Sequence, residues 1–205
     1  MRINHVIKTM VFSDFYIEAG LALFGPIFAI FITEQIQNGS IATVGFAAAI
    51  TQVVKITFEI PIAKYLDRNH GEYDDFYSML AGTILISLVP FLYLFASTIN
   101  HIYIIAGVLG LGTALFVPPR LAIFTRHIDK LKENLEWSFK SVSIGIAAAG
   151  AAALGGFLAE RIGFRYVFVL AGIAVFVGAI IELKIFADLK AKVPQGQVKP
   201  EPKTP

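Results

Sequence analysis

Ionisable side chains interrupt stretches of this sequence that are otherwise apolar. Asp14 and Glu18 lie four residues apart in the first stretch, a spacing that places both on one face of a helix. Lys55 and Glu59 repeat this spacing in the second stretch, and Arg120 lies in the fourth. Charges within a membrane are costly, and they commonly mark a solute or proton pathway or else pair with one another. These five residues are therefore the candidate site residues, for binding a solute or carrying a proton.

Two interpretations of these charges are open. Glu18 lies roughly 14 Å along the first stretch, near the middle of a bilayer, which favours a functional interpretation. In that interpretation Glu18 and Asp14 line a central cavity, where they carry a proton or attract a cationic group. In the structural interpretation Lys55 and Glu59 neutralise each other within one helix, and Asp14 lies at the level of the lipid headgroups. The spacing of Lys55 and Glu59 favours the structural interpretation for that pair, and we favour it for Asp14 as well.

Composition shows that the charges are carried by membrane-spanning helices. The 205 residues are 56% hydrophobic and only 16% charged, whereas an ordinary soluble domain is about a quarter charged. Six apolar stretches are each long enough to cross a hydrocarbon layer of about 30 Å as a helix. The predicted fold is therefore an all-α membrane protein with six transmembrane helices. The stretches cover residues 9–33, 41–63, 76–97, 101–124, 139–160 and 164–186.

Composition also predicts the domain organisation. Residues 1–188 are expected to form the transmembrane domain, and residues 189–205 a disordered cytoplasmic tail, because the end of the chain is rich in lysine and proline and has no aromatic residue. The net charge of +2 gives no indication of a nucleic-acid surface. The expected partner is the lipid bilayer.

Basic residues indicate the orientation. Six spans place twelve lysines and arginines on the side of the two termini and only Arg161 and Arg165 on the other side. The positive-inside rule then places both termini in the cytoplasm, in a multi-pass protein of the plasma (inner) membrane. The twelve are Arg2, Lys8, Lys64, Arg68, Arg126, Lys130, Lys132, Lys140, Lys190, Lys192, Lys199 and Lys203.

The sequence contains an internal repeat. The segment G-L-A-L-F-G-P at residues 20–26 matches G-T-A-L-F-V-P at residues 112–118, and L-A-G at residues 80–82 matches residues 170–172. The offsets of 92 and 90 residues correspond to three spans, so the two copies cross the membrane in opposite directions. Such inverted repeats are typical of transporters. Chance matching in a sequence rich in Ala, Leu and Gly is the alternative.

Motifs for covalent or cofactor chemistry are missing from the sequence. It contains no G-x-S-x-G element, no H-E-x-x-H pair and no G-x-x-x-x-G-K-[ST] loop. We therefore expect neither an enzyme nor a bound cofactor or metal.

The loop after the second stretch resembles a motif of the major facilitator superfamily. Residues 63–71 read A-K-Y-L-D-R-N-H-G, which is similar to the family pattern G-x-L-x-D-R-x-G-R-R. Asp67, Arg68 and Gly71 match the pattern, whereas Ala63 replaces its first glycine, one residue is inserted before Gly71, and the basic pair is absent. The segment from Leu154 to Phe168 resembles the end of helix 5 and the start of helix 6 in the same family.

The resemblance has consequences for fold and function. In this family each half-transporter has six helices built from two inverted three-helix repeats, so the chain resembles a single half, closer to the N-terminal one. It implies transport of a small solute, possible proton coupling, and pairing with an identical chain or with another half. The alternative is a six-helix membrane assembly or regulatory subunit without transport of its own.

Overall fold

The computed structural model describes residues 4–68 and 72–189, and all regular secondary structure in these residues is helical. Gly71 of the predicted loop motif and the predicted tail from residue 190 onwards lie outside the described residues. The helices are α1 (His5–Phe24), α2 (Phe28–Gln35), α3 (Ile41–Leu66), α4 (Tyr73–Tyr93), α5 (Ile99–His127), α6 (Glu133–Ile162), α7 (Phe164–Glu182) and a 3₁₀-helix (Leu183–Asp188).

These helices form six candidate membrane spans, as the sequence predicted. Helices α1 and α2 make one span, His5–Gln35, with a break at Pro26, which has no amide hydrogen to continue the helix. The fifth span begins at Glu133 rather than at residue 139. Its first turn is acidic, so hydropathy detects the apolar part of this helix and misses its polar start.

Local signals explain where two of the helices begin and end. The Ser40 hydroxyl accepts a hydrogen bond from the Thr43 amide, and the Thr43 hydroxyl accepts one from the Ser40 amide, which forms a capping box at the start of α3. Gly163 ends α6 and precedes α7 with a φ of 88°. Glycine adopts this backbone conformation without a steric penalty, so it permits the sharp turn between the two helices.

The packing of the helices reflects the internal repeat. Neighbouring helices follow the order α3, α5, α4, α7, α1, α6, with α3 and α6 at the two ends. The repeat relates the first three spans to the last three, so α1 corresponds to α5, α3 to α6 and α4 to α7. When each helix is replaced by its counterpart, every helix keeps the same neighbours. That is the arrangement expected of two inverted three-helix repeats, so the predicted fold is confirmed.

Two glycines of the repeat have the same structural role. A Cβ at Gly20 of α1 would lie 2.7 Å from the carbonyl oxygen of Ala171 on α7. A Cβ at Gly112 of α5 would lie 3.2 Å from the carbonyl oxygen of Gly82 on α4. Both contacts bring helix backbones together as small residues do in membrane proteins, which explains why the two segments match at this position.

The buried core has an aromatic part and an aliphatic part. Near the end of the bundle opposite to residues 4 and 189, Phe24, Phe31, Tyr93 and Phe168 pack together. Near the end that carries residues 4 and 189, which we call the terminal end, the core contains Ile7, Met10, Phe76, Met79 and Phe124. The buried Arg120 side chain lies beside the aliphatic part, where it contacts Met10 and Met79.

Helices α3 and α6 are the least covered. Only 11% of the apolar window of α3 and 17% of that of α6 is buried, compared with 33–50% for the other spans. Large apolar side chains such as Ile56 and Phe58 of α3 and Ile146 and Leu154 of α6 point out of the bundle. These two faces are therefore available to lipid or to a second bundle.

We predict that Gly155→Ala destabilises the bundle and that Gly150→Ala does not. A Cβ at Gly155 would lie 1.8 Å from the carbonyl oxygen of Leu23, whereas one at Gly150 would meet nothing within 4 Å. Overpacking of this kind costs about 1–3 kcal/mol. Thermal unfolding of the two variants in detergent, followed by circular dichroism, measures the difference. Equal melting temperatures would contradict the close contact between α1 and α6.

Candidate functional site

The centre of the site is the guanidinium of Arg120, which reaches from α5 to α1 and α7. Its Nε donates to Asp14 Oδ1 at 2.6 Å, its Nη1 to Glu182 Oε1 at 2.6 Å, and its Nη2 to the Met10 carbonyl oxygen at 2.7 Å. The side chains of Arg120, Asp14 and Glu182 are 3%, 8% and 0% exposed. A buried charge is tolerated when it is paired and hydrogen-bonded in this way.

Glu182 is held by hydroxyl groups as well as by the arginine. The Ser13 hydroxyl donates to Oε1 at 3.1 Å, and the Thr83 hydroxyl donates to Oε2 at 3.0 Å. Together with Arg120, these contacts join α1, α4, α5 and α7. Each guanidinium nitrogen of Arg120 and both carboxylate oxygens of Glu182 have a hydrogen-bond partner inside the bundle.

Asp14 also faces a second cation, Lys140 of α6. The Nζ of Lys140 lies 3.5 Å from Asp14 Oδ2, which is the outer limit of a hydrogen bond. The same ammonium lies 4.7 Å and 5.2 Å from the ring centroids of Phe124 and Trp137, within the range of cation–π attraction. Since an ammonium has three donors, Lys140 retains capacity to bind another acceptor.

A cleft of about 200 Å³ opens beside these charges, between α1, α5 and α6. Four charged residues line it, namely Asp14, Glu18, Arg120 and Lys140, and apolar side chains of the same helices complete the lining. With Glu182 behind Arg120, three carboxylates face two cations, which leaves one excess negative charge when all are ionised. The cleft therefore favours a cationic group or a proton.

The structure brings together three of the predicted site residues and separates the other two from them. Asp14, Glu18 and Arg120 line one cleft. Lys55 and Glu59 are not among its lining residues. They lie on α3 with Nζ and Oε2 4.0 Å apart, and their side chains are 26% and 31% exposed. This is the pairing within one helix that the structural interpretation describes. The role of each residue in binding stays a prediction.

Sequence reasoning did not place Glu182 or Lys140 in the site. Lys140 is one of the twelve basic residues that indicate the orientation, and Glu182 lies near the end of the sixth stretch. One signal makes Glu182 a candidate partner without singling it out: the arginine in the fourth stretch requires neutralisation, and Glu182 is the only acidic residue in the sixth stretch, residues 164–186.

The predicted loop motif lies at the terminal end. Asp67 follows α3 and is exposed, and the Arg68 guanidinium lies 5.9 Å from the ring centroid of Tyr65. Nearby, Arg126 at the end of α5 forms an ion pair with Asp75 at the start of α4. This ion pair joins the ends of α5 and α4 on the same side of the bundle as the motif.

A further ion pair lies in the turn between α5 and α6. The Lys132 ammonium donates to Asp129 at 2.8 Å, and this hydrogen bond raises the pKa of Lys132. Lys132 therefore stays positively charged at neutral pH, which is consistent with the basic character of this end of the bundle.

The fold and the buried charges define a multi-pass membrane protein of the transporter type. The family model of the Major Facilitator Superfamily matches residues 10–205, and the chain belongs to this superfamily. No curated protein matches the chain. The chain is similar in fold to the POT family transporter PepTSo, as seen in its in meso crystal structure, with a TM-score of 0.76 and 14% sequence identity. The match covers 100% of this chain and 41% of that one, so the present chain spans less than half of its length.

We predict that Arg120→Gln strongly destabilises the bundle, because it leaves Asp14 and Glu182 without their shared cation. Removing one member of a buried ion pair typically costs about 3–5 kcal/mol. The matched control is Lys55→Gln, which removes a cation from the partly exposed pair on α3 and should change stability little. Thermal unfolding in detergent provides the comparison. A melting temperature of Arg120→Gln equal to that of the control would show that the network is dispensable.

Proposed function

We propose that the chain moves a small solute across the membrane as one half of a major-facilitator-type transporter. The observation that carries this proposal is the charged cleft between α1, α5 and α6, with Glu18 and Lys140 on its walls. Glu18 is a half-buried carboxylate that takes no part in the buried ion pairs. A protein with a purely structural role would therefore gain nothing from this charge within the membrane.

We propose that a second six-helix half completes the transport path, most simply a second copy of this chain. Three helices line the cleft and leave its remaining side open, and alternating access in this fold relies on one bundle moving against another. The outward apolar faces of α3 and α6 supply a surface for the second bundle. A parallel arrangement keeps the basic residues of both copies on one side.

The proposed roles of the cleft residues follow from their contacts. Arg120 already donates to Asp14, Glu182 and the Met10 carbonyl, so we propose that it mainly positions its neighbours. Glu18 is the carboxylate most available to a proton or to a cationic group of the solute. Lys140 is the cation most available to an anionic group.

The proposed orientation has both termini in the cytoplasm of a cell whose plasma membrane holds the protein. The basic residues of the terminal end support it. In this orientation Asp67 and Arg68 lie at the cytoplasmic surface, where the exposed Asp67 carboxylate could bind the amide groups of a helix N-terminus in the second half. Such a contact would form in one conformational state, where it holds the two halves together, and break in another.

We predict that Glu18→Gln abolishes proton-coupled transport and leaves the fold intact. Proteoliposomes that contain a trapped pH-sensitive dye are exposed to a panel of small organic cations, zwitterions and anions. Wild type should acidify or alkalinise the lumen with at least one solute, and Glu18→Gln should lose the proton signal because its amide cannot release a proton. Glu59→Gln, outside the cleft, is the matched control. Unchanged pH dependence in Glu18→Gln would make Glu18 structural.

We predict that two copies contact each other through α6. The chain has no cysteine, so single cysteines report specific contacts. Ile146→Cys on the outward face of α6 should crosslink between protomers in the bilayer, whereas Ile173→Cys, exposed on α7, should not. Gly150→Leu should prevent the crosslink without unfolding the bundle, because it fills open space on this face.

The opposite result has its own interpretation. If no α6 cysteine crosslinks at high protein density and the bundle stays monomeric, then the six-helix subunit without transport of its own becomes the better assignment.

A further inference from the structure

A second cavity lies at the end of the bundle opposite to the terminal end. It measures about 370 Å³ and is formed where α2, the end of α4 and the start of α7 meet. None of the residues that line the charged cleft takes part in it. No residue of α3 or α6 in the described part of the chain lines the cavity, so it does not overlap the outward faces of those two helices.

The floor of this cavity is aromatic and rigid. The ring centroids of Phe31 and Phe168 are 4.8 Å apart, those of Tyr93 and Phe168 are 5.4 Å apart, and those of Phe31 and Phe164 are 5.8 Å apart. Phe31, Tyr93 and Phe168 are 6%, 3% and 1% exposed, so the main core holds these rings in place. The floor thus offers a fixed apolar surface near the ends of the helices. In a bilayer, this is the depth of the boundary between lipid headgroups and acyl chains.

The rim of the cavity is polar and positively charged. Arg165 and Gln35 line it, and both are exposed. No acidic side chain is among its lining residues in the described part of the chain, so the Arg165 charge is not balanced within the cavity. The other arginine at this end, Arg161, lies over the ring of Phe157 at 5.6 Å and does not line the cavity.

These features match one end of an anionic phospholipid. A guanidinium binds phosphate oxygens through two parallel hydrogen bonds, and the Gln35 amide can donate to the same group or to the glycerol. The aromatic floor suits the upper methylenes of an acyl chain. A zwitterionic lipid is a poorer match, because its ammonium would find Arg165 and no carboxylate at the rim.

We propose that this cavity binds an anionic membrane phospholipid, with the phosphate on Arg165 and one acyl chain over Phe31 and Phe164. Arg165 is one of only two arginines on a side of the protein that otherwise lacks basic residues, although the positive-inside rule disfavours a cation there. Lipid binding gives this arginine a favourable partner. The proposal does not depend on transport or on dimer formation.

Native mass spectrometry of the full chain in detergent tests the proposal. The protein is mixed with equal amounts of phosphatidylglycerol and phosphatidylcholine that carry the same acyl chains. Wild type should retain phosphatidylglycerol in preference, and Arg165→Gln should lower the ratio of the two bound lipids about two- to fivefold, the range of an exposed ion pair. Arg165→Lys should keep most of the preference, since the charge remains.

Arg161→Gln is the matched control, because it removes the same charge from the same end without touching the cavity. A ratio unchanged in Arg165→Gln, or lowered as much in Arg161→Gln, would overturn the proposal. Glycerol phosphate supplies the anionic group without acyl chains, so it should not displace the bound lipid at equal concentration. Displacement would show that the cavity is a simple anion site.

Discussion

The Arg120 guanidinium determines how the bundle is assembled. A single cation at this depth in a membrane needs neutralising partners, and it finds them in Asp14 of α1 and Glu182 of α7. Ser13 and Thr83 then satisfy the second carboxylate. The partners come from α1, α4 and α7, so the network fixes the relative positions of α1, α4, α5 and α7 more specifically than apolar packing could. The adjacent cleft takes its shape from these helices.

The charged residues of the network differ in how closely their partners hold them. Every guanidinium nitrogen of Arg120 and both oxygens of Glu182 have a hydrogen-bond partner, whereas Asp14 is shared between Arg120 and the more distant Lys140 of α6. Under the proposed function, a proton or solute near Glu18 would change the balance of charge around Asp14. The contact with Lys140 is the one that can lengthen at least cost, and α6 is the helix that packs at the edge of the bundle. The cleft is thus lined by one of the two helices at the ends of the order of neighbours.

Local features of the fold could be predicted from the sequence, and distant pairings could not. Hydropathy gave the six spans, and helical spacing gave the shared face of Asp14 and Glu18 and the pairing of Lys55 with Glu59, because each depends on residues close in the chain. The partner of Arg120 lies 62 residues away at Glu182. Which of several acidic residues meets a buried arginine depends on helix order and rotation, which periodicity alone does not supply. The role of Lys140 was missed for the same reason.

The inverted repeat makes the two ends of the bundle comparable, and the comparison explains why one end can respond to charge. The offset of 92 residues that relates residues 20–26 to 112–118 pairs Arg120 with Phe28. Phe28 lies within 5.1 Å of the Tyr93 ring centroid in the aromatic part of the core. The same scaffold is therefore closed by an ion network near the terminal end and by tilted and edge-to-face aromatic rings near the other end. Rings offer no group that gains or loses a proton near neutral pH. Under the proposed function, the charged side chains of the ion network can respond to a bound ion, while the aromatic side acts as a fixed support.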